Sequence, residues 1–223
     1  MFGNDAFEAI ARRQALKVGT GVAISLLALG AKPAAALFDS PLENLPVQAR
    51  VAVREGAAYV AREGDTFRGY VLVDAPTESV WDVLTDYEQF PQFLPNTEDY
   101  TVLSEALDAS DEEAGRTLQV ESITSAQVLL LRVRSRDRFD IVEQPFNRIE
   151  FELVSSETLR DMAGAWSLQT IERAGSEPQV LVAYEAAATP NNQFSAGAFA
   201  SIFQTQLEST LAAIRDEVVR RGS

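Results

Sequence analysis

The side chains that most often carry chemistry are unevenly available in this sequence. It contains no Cys and no His. That removes thiolate nucleophiles, imidazole bases, disulfides and His/Cys metal sites together, and a Ser-His-Asp triad with them. Asp, Glu, Tyr, Ser and Arg remain for proton transfer or polar recognition. Asp82 and Asp86 stand four apart on or just beyond a short apolar helical run, a spacing that puts both on one solvated helix edge. No pair of carboxylates stands out as inward-facing, so acid/base catalysis has no evident seat. Glycine-rich phosphate loops and calcium-loop spacings are absent. Four polar residues in predicted strands could orient the carbonyl or hydroxyl of a bound molecule: Gln119, Arg160, Gln169 and Tyr184. Tyr184 and Glu185 must then face opposite sides, because neighbouring strand residues alternate.

Charge narrows the range of partners. The formal net charge is −14 at pH 7, which repels phosphate backbones and anionic headgroups and argues against nucleic-acid binding. Against that background Arg132, Arg134, Arg136 and Arg138 recur at period two and share one strand face. Leu129, Leu131, Val133, Phe139 and Ile141 occupy the other face. Glu121 in the preceding strand and Glu150 and Glu152 in the next alternate likewise, so the first reading is a solvent-facing ladder of opposite charges. The alternative is a basic strip that docks an acidic partner, such as a membrane protein complex, or a headgroup.

Aromatic residues gather in two places. Trp81, Tyr87, Phe90 and Phe93 cluster around two short helical segments, where they serve either as core or as a gate. Trp166, Phe199 and Phe203 lie where a sheet and a long helix would face one another, and either fill that space or line a cavity in it.

These groups need elements to hold them. Residues 57–62 and 66–74 flank Glu63-Gly64-Asp65 and predict a hairpin. Pro76-Thr77-Glu78 opens a short helix carrying Val80, Trp81, Val83 and Leu84. Pro91 and Pro95 bracket a second helical turn. Six strands follow at about 97–107, 115–125, 127–142, 147–155, 158–173 and 179–189. The acidic run Asp108–Glu113 joins the first two, and Pro145-Phe146-Asn147 and Ala174–Pro178 form later turns. The segment 47–53 reads as either strand or helix. A long helix from about Phe194 to Arg221 closes the chain, with Phe199, Ile202, Phe203, Leu207, Leu211, Ile214 and Val218 at three- and four-residue spacing. Such a stripe needs a large apolar surface, and a curved antiparallel sheet supplies one.

Residues 1–36 read as a targeting leader. Arg12, Arg13 and Lys17 precede the apolar run Val18–Leu29, and Ala34-Ala35-Ala36 offers a small-residue cleavage site. The arginine pair resembles a twin-arginine export signal, although Ala11 and Ala15 depart from its usual pattern. Export to a periplasm or thylakoid lumen is the expectation, with an uncleaved membrane anchor as the alternative. Residues 37–46, with Pro41 and Pro46, read as a linker, and residues 47–221 as one domain.

The run Val73-Asp74-Ala75-Pro76-Thr77-Glu78-Ser79-Val80-Trp81-Asp82-Val83-Leu84-Thr85-Asp86-Tyr87-Glu88-Gln89-Phe90, continued by Phe93-Leu94-Pro95, resembles the strand-to-helix segment of the SRPBCC (START/birch-allergen-like) superfamily. The order of elements resembles that superfamily over about residues 57–221. It is most similar to the polyketide cyclase/dehydrase and coenzyme-Q-binding-protein-like group, in the form found in cyanobacteria and chloroplasts. The resemblance implies an α+β helix-grip fold, with a curved antiparallel sheet wrapped around the long C-terminal helix and two short helices after the first core strand. It also implies a cavity between sheet and helix. The expected function is non-covalent binding or transfer of a hydrophobic small molecule, such as a prenylquinone, lipid or pigment, with no required cofactor and no metal. The expected lining is Trp81, Tyr87, Phe90, Phe93, Gln119, Arg160, Trp166, Tyr184, Phe199 and Phe203. The alternatives are a cyclase or dehydrase, which would lack the commonest proton shuttle, and an assembly factor for a membrane complex.

Overall fold

The computed structural model describes residues 40–107, 115–128, 131–172, 175–191 and 195–222. The leader 1–36, the acidic run Asp108–Glu113, Leu129, Ala174 and Phe194 lie outside these. After a 3₁₀ turn at Pro41–Asn44 come α1 (Val47–Arg54), β1 (Tyr59–Glu63), β2 (Thr66–Val73), α2 (Thr77–Thr85), a 3₁₀ turn at Tyr87–Gln89 and α3 (Phe90–Phe93). Then follow β3 (Thr97–Leu107), β4 (Arg116–Val128), β5 (Leu131–Gln144), β6 (Arg148–Ser156), β7 (Leu159–Ile171), β8 (Gln179–Pro190) and α4 (Ala196–Gly222). The strands form one eight-stranded antiparallel sheet in the order β1-β2-β8-β7-β6-β5-β4-β3. This is the helix-grip architecture. Among the described residues no helix is long and apolar enough to cross a membrane.

Turn chemistry explains the hairpins. Gly64, at φ +62°, closes β1 onto β2 in a two-residue turn, where a left-handed residue matches the twist of the strands. Phe146 takes φ 59° between β5 and β6 and rests against the Trp81 ring at 5.7 Å. The segment that reads as strand or helix, 47–53, is helical. It begins directly after Pro46, which is favoured where a helix has no use for an amide hydrogen.

Both faces of the sheet's β2–β8 region are covered. On the outside, Leu42, Leu45 and Val53 pack with Tyr70, Leu72, Ile171 and Leu181. On the inside lies α4, 27 residues long, or about 40 Å. The Ser195 hydroxyl accepts a hydrogen bond from the Ala198 amide and caps its first turn. Leu207 and Leu211 meet β2 at Gly69, where an added Cβ would stand 2.7 Å from Leu211 Cδ1. The missing side chain is what lets the helix come close.

Candidate ligand-binding cavity

Beyond β8 the inner face of the sheet curves away from α4, and a cavity of about 250 Å³ opens. Strand alternation builds its wall. Phe139 and Ile141 come from β5, Ile149 and Phe151 from β6, Met162 and Trp166 from β7, and Tyr184 from β8. Tyr100 of β3 and Thr124 of β4 complete the sheet side. Thr210 and Ile214 of α4 form the roof. Leu84, Tyr87, Phe90 and Leu94, from α2 to just after α3, cover one end. No Asp, Glu, Lys or Arg is among the lining residues.

The aromatic rings on the wall brace one another. Tyr184 stacks on Phe151 with ring centres 5.8 Å apart and meets Trp166 edge-on at 4.7 Å. Phe151 in turn meets Phe139 at 6.1 Å. Under the cover Tyr87 lies parallel to Tyr100 at 5.6 Å, and Phe90 meets both edge-on. Such pairs contribute beyond their buried area and hold the rings in fixed planes.

Two devices fix the cover. Tyr87 donates a 2.6 Å hydrogen bond to Glu143, which also accepts from Arg116 Nε and Nη2, both at 2.9 Å. Burial, and then the neighbouring Glu143, push the Tyr87 phenol far above its usual range, so it stays a donor. The hydrogen bond to Glu143 raises the Arg116 guanidinium as well. On the helix side Arg221 bonds Asp86 at 2.9 Å and Glu217 at 2.7 Å, and its guanidinium lies 5.9 Å from the Phe93 ring centre. The hydrogen bond from Arg220 is the main cause that lowers the Glu217 carboxyl to about 2.

Of the ten residues expected to line a cavity, Tyr87, Phe90, Trp166 and Tyr184 come together on this one. The other six stand elsewhere. Trp81 packs on Phe146, and Phe93 sits between Phe90 and Arg221. Phe203 and Phe199 meet the buried Phe67 at 4.4 and 6.3 Å, so they fill core where α4 is close to the sheet. Gln119 faces outward and donates to Asp140 at 2.9 Å. Arg160 is exposed beside a register shift at the start of β7, and Gln169 is exposed on the opposite face to Leu168.

The inner face of β5 holds two carboxylates that sequence reading passes over. Glu143 is buried and bridged as described. Asp137, also buried, accepts from Ser135 at 2.6 Å and Ser156 at 2.5 Å, and burial raises its carboxyl above the usual range. Both have the inward parity of Phe139 and Ile141, and that parity was the available signal. Neither lines the cavity. Tyr100, Thr124, Met162 and Thr210 carried no such signal. On the outer face Arg132 and Arg134 share Glu98 at 3.0 and 2.8 Å, and Arg136 and Arg138 share Glu121 at 2.5 and 2.8 Å. That is a charge ladder, with Glu98 of β3 as a member that the strand pattern did not single out. Glu150 bonds Arg148 within its own strand. Asp86 is tied to Arg221. Among the described residues no group of three or more Asp or Glu is placed to hold a metal ion.

A curved antiparallel sheet gripping a long C-terminal helix, with an apolar cavity between them, defines the class. The chain belongs to the polyketide cyclase / dehydrase and lipid transport family, whose model matches residues 73–215. No curated protein matches it. Among solved structures, a START superfamily protein from Mycobacterium smegmatis is similar at TM-score 0.57 and 15% identity, covering 71% of this chain and 99% of that one. A STAR-related lipid transfer protein fragment from Xanthomonas axonopodis is similar at 0.52 and 21%, covering 73% and 92%. The Zhui aromatase/cyclase from a Streptomyces species is similar at 0.51 and 18%, covering 71% and 95%. At these identities the likeness is one of fold.

Proposed function

We propose that the domain binds a hydrophobic small molecule non-covalently in this cavity and carries it. The observation that carries the reading is the lining. Fifteen residues surround the space, none of them charged, and the side-chain donors among them are hydroxyls and the Trp166 indole N–H. Burial of apolar ligand surface supplies the affinity, at roughly 25 cal/mol per Å² before the costs of association. The cover formed by Tyr87, Phe90 and Leu94 is the natural route of entry, because it is made of short segments, α3 with Pro91 in its first turn and Pro95 just beyond its end. The leader adds an address to the proposal, namely export to a periplasm or thylakoid lumen, where a carrier would exchange its cargo with a membrane.

The test is uptake of an apolar fluorophore whose emission rises in a dry site. Wild type should bind it saturably with one site per chain, and Ile214→Phe, which fills the roof, should abolish the signal while the chain stays folded. A signal that does not saturate, or that survives Ile214→Phe, contradicts the assignment to this cavity.

The cyclase or dehydrase reading is compatible with the family but has little to work with at the wall. The buried carboxylate nearest the cover, Glu143, is already bridged by Arg116 and Tyr87. Proton transfer would fall to tyrosines whose burial holds them far above neutral. The charge ladder, with each arginine already paired, gives no specific support to an assembly role.

A further inference from the structure

The polar atoms in the cavity are not equivalent. The Tyr87 hydroxyl is spent on Glu143. Thr124, Thr210, Tyr100 and Trp166 are only half-buried. Tyr184 is 4% exposed, yet its hydroxyl has no protein partner among the described residues. It is also not an orphaned buried atom, because among the described residues every fully buried side-chain polar atom finds a partner. The hydroxyl therefore opens on the cavity itself. A hydroxyl that opens on an apolar cavity and makes no bond to the protein is free to donate to a ligand atom placed there.

The surroundings limit what that ligand can be. Tyr184 stands in a row of rings, Phe139, Phe151 and Trp166, contributed by consecutive strands and braced in place. Flat unsaturated surfaces match such walls better than flexible chains do. No cationic side chain lines the space, so an ionised carboxylate or phosphate would lose its hydration without gaining a counter-charge. The Tyr184 phenol, held protonated by burial, offers a donor. The volume of about 250 Å³ lies just below the range of about 300–1,000 Å³ usual for small-molecule pockets, so the enclosed part is compact.

We propose that the cavity selects a neutral, flat, unsaturated ring bearing a carbonyl, and that the Tyr184 hydroxyl donates to that carbonyl. Long substituents would leave through the covered end at Phe90 and Leu94. The inference rests on the carrier reading, and the test separates the two.

Three matched probes suffice: 2-acetylnaphthalene, 2-isopropenylnaphthalene, which replaces the carbonyl oxygen by a methylene, and 2-naphthoate, which carries the charge. Titration calorimetry on the wild-type chain should show the ketone bound roughly three- to tenfold tighter than the hydrocarbon, and the carboxylate weakest. Tyr184→Phe should bring the ketone to the affinity of the hydrocarbon and leave the hydrocarbon unchanged. Equal affinity of ketone and hydrocarbon in wild type, or discrimination that survives Tyr184→Phe, overturns the role of Tyr184 and leaves the carrier reading standing. Tightest binding of 2-naphthoate overturns the neutral class. Failure to bind any of the three overturns both readings.

Discussion

Around β2 the sheet is packed on both faces, while over β5 to β7, with Tyr184 of β8, its inner face looks onto the cavity. The difference lies in what each half offers the same helix. At β2 a glycine, Gly69, meets Leu207 and Leu211, and Phe67 is locked between Phe199 and Phe203. At β5 to β7 large rings stand on a surface that curves away, and Thr210 and Ile214 reach over them as a roof. Leu207 and Leu211 are four apart, and so are Thr210 and Ile214. One helix thus carries two adjacent stripes, one that fills and one that encloses. A void among well-packed side chains costs stability, so a hollow half beside a filled one marks where function displaced packing.

The largest expected effect concerns the brace of the hollow half. Arg116→Ala strips Glu143 of its cation and leaves a carboxylate that is 3% exposed without its charge partner. A loss of about 3 kcal/mol is expected in urea unfolding, near the low end for broken buried pairs because Arg116 is partly exposed. Tyr87→Phe removes one hydrogen bond and should cost about 0.5–1.5 kcal/mol. If the two cost the same, Glu143 does not depend on Arg116 and the brace is misread.

Overpacking sharpens the contrast between the stripes. Leu211→Phe forces a ring into the filled half and should cost about 1–3 kcal/mol. Ile214→Phe, three residues on, has a cavity to enter and should cost under about 1 kcal/mol. The comparison breaks if the order reverses.

Acid separates two carboxylates by sign. The Glu217 carboxyl is lowered to about 2 in the fold, against about 4.3 unfolded. Its contribution is therefore complete above the unfolded value and is lost as pH falls from about 4.3 through about 2. Asp137 is shifted the other way, so its ionised form opposes folding at neutral pH and that cost fades as pH falls through its raised value. Glu217→Gln should flatten the acid limb of a stability profile, and Asp137→Asn should raise stability at pH 7. The smallest effect belongs to the outer ladder. Arg134→Ala should leave both the unfolding midpoint and probe binding unchanged within error, since exposed pairs on this face touch neither half's interior.

Much of this was legible beforehand for a physical reason. Period-two alternation in β5 and β6 separates the arginine and glutamate face from Phe139, Ile141, Ile149 and Phe151, and the seven-residue stripe of α4 demands a sheet. Alternation states which face a residue takes but not how far the opposite layer stands. Phe199 and Phe203 therefore read as lining although Gly69 draws their helix into contact. The alternation also hides Asp137 and Glu143, because charged residues at inward parity look like exceptions until Ser135, Ser156, Tyr87 and Arg116 are seen around them. Gln119 and Arg160 read as polar anchors on residue type alone. Outward parity and the ragged start of β7 take them away from the space that Tyr184 faces.

The most direct test of a carrier is the mass of the chain purified from its source cells under native conditions, followed by organic extraction. A single stoichiometric organic adduct is predicted, removable by solvent and absent from Ile214→Phe. A bare chain mass, with no uptake after incubation with membrane extract, would contradict the account.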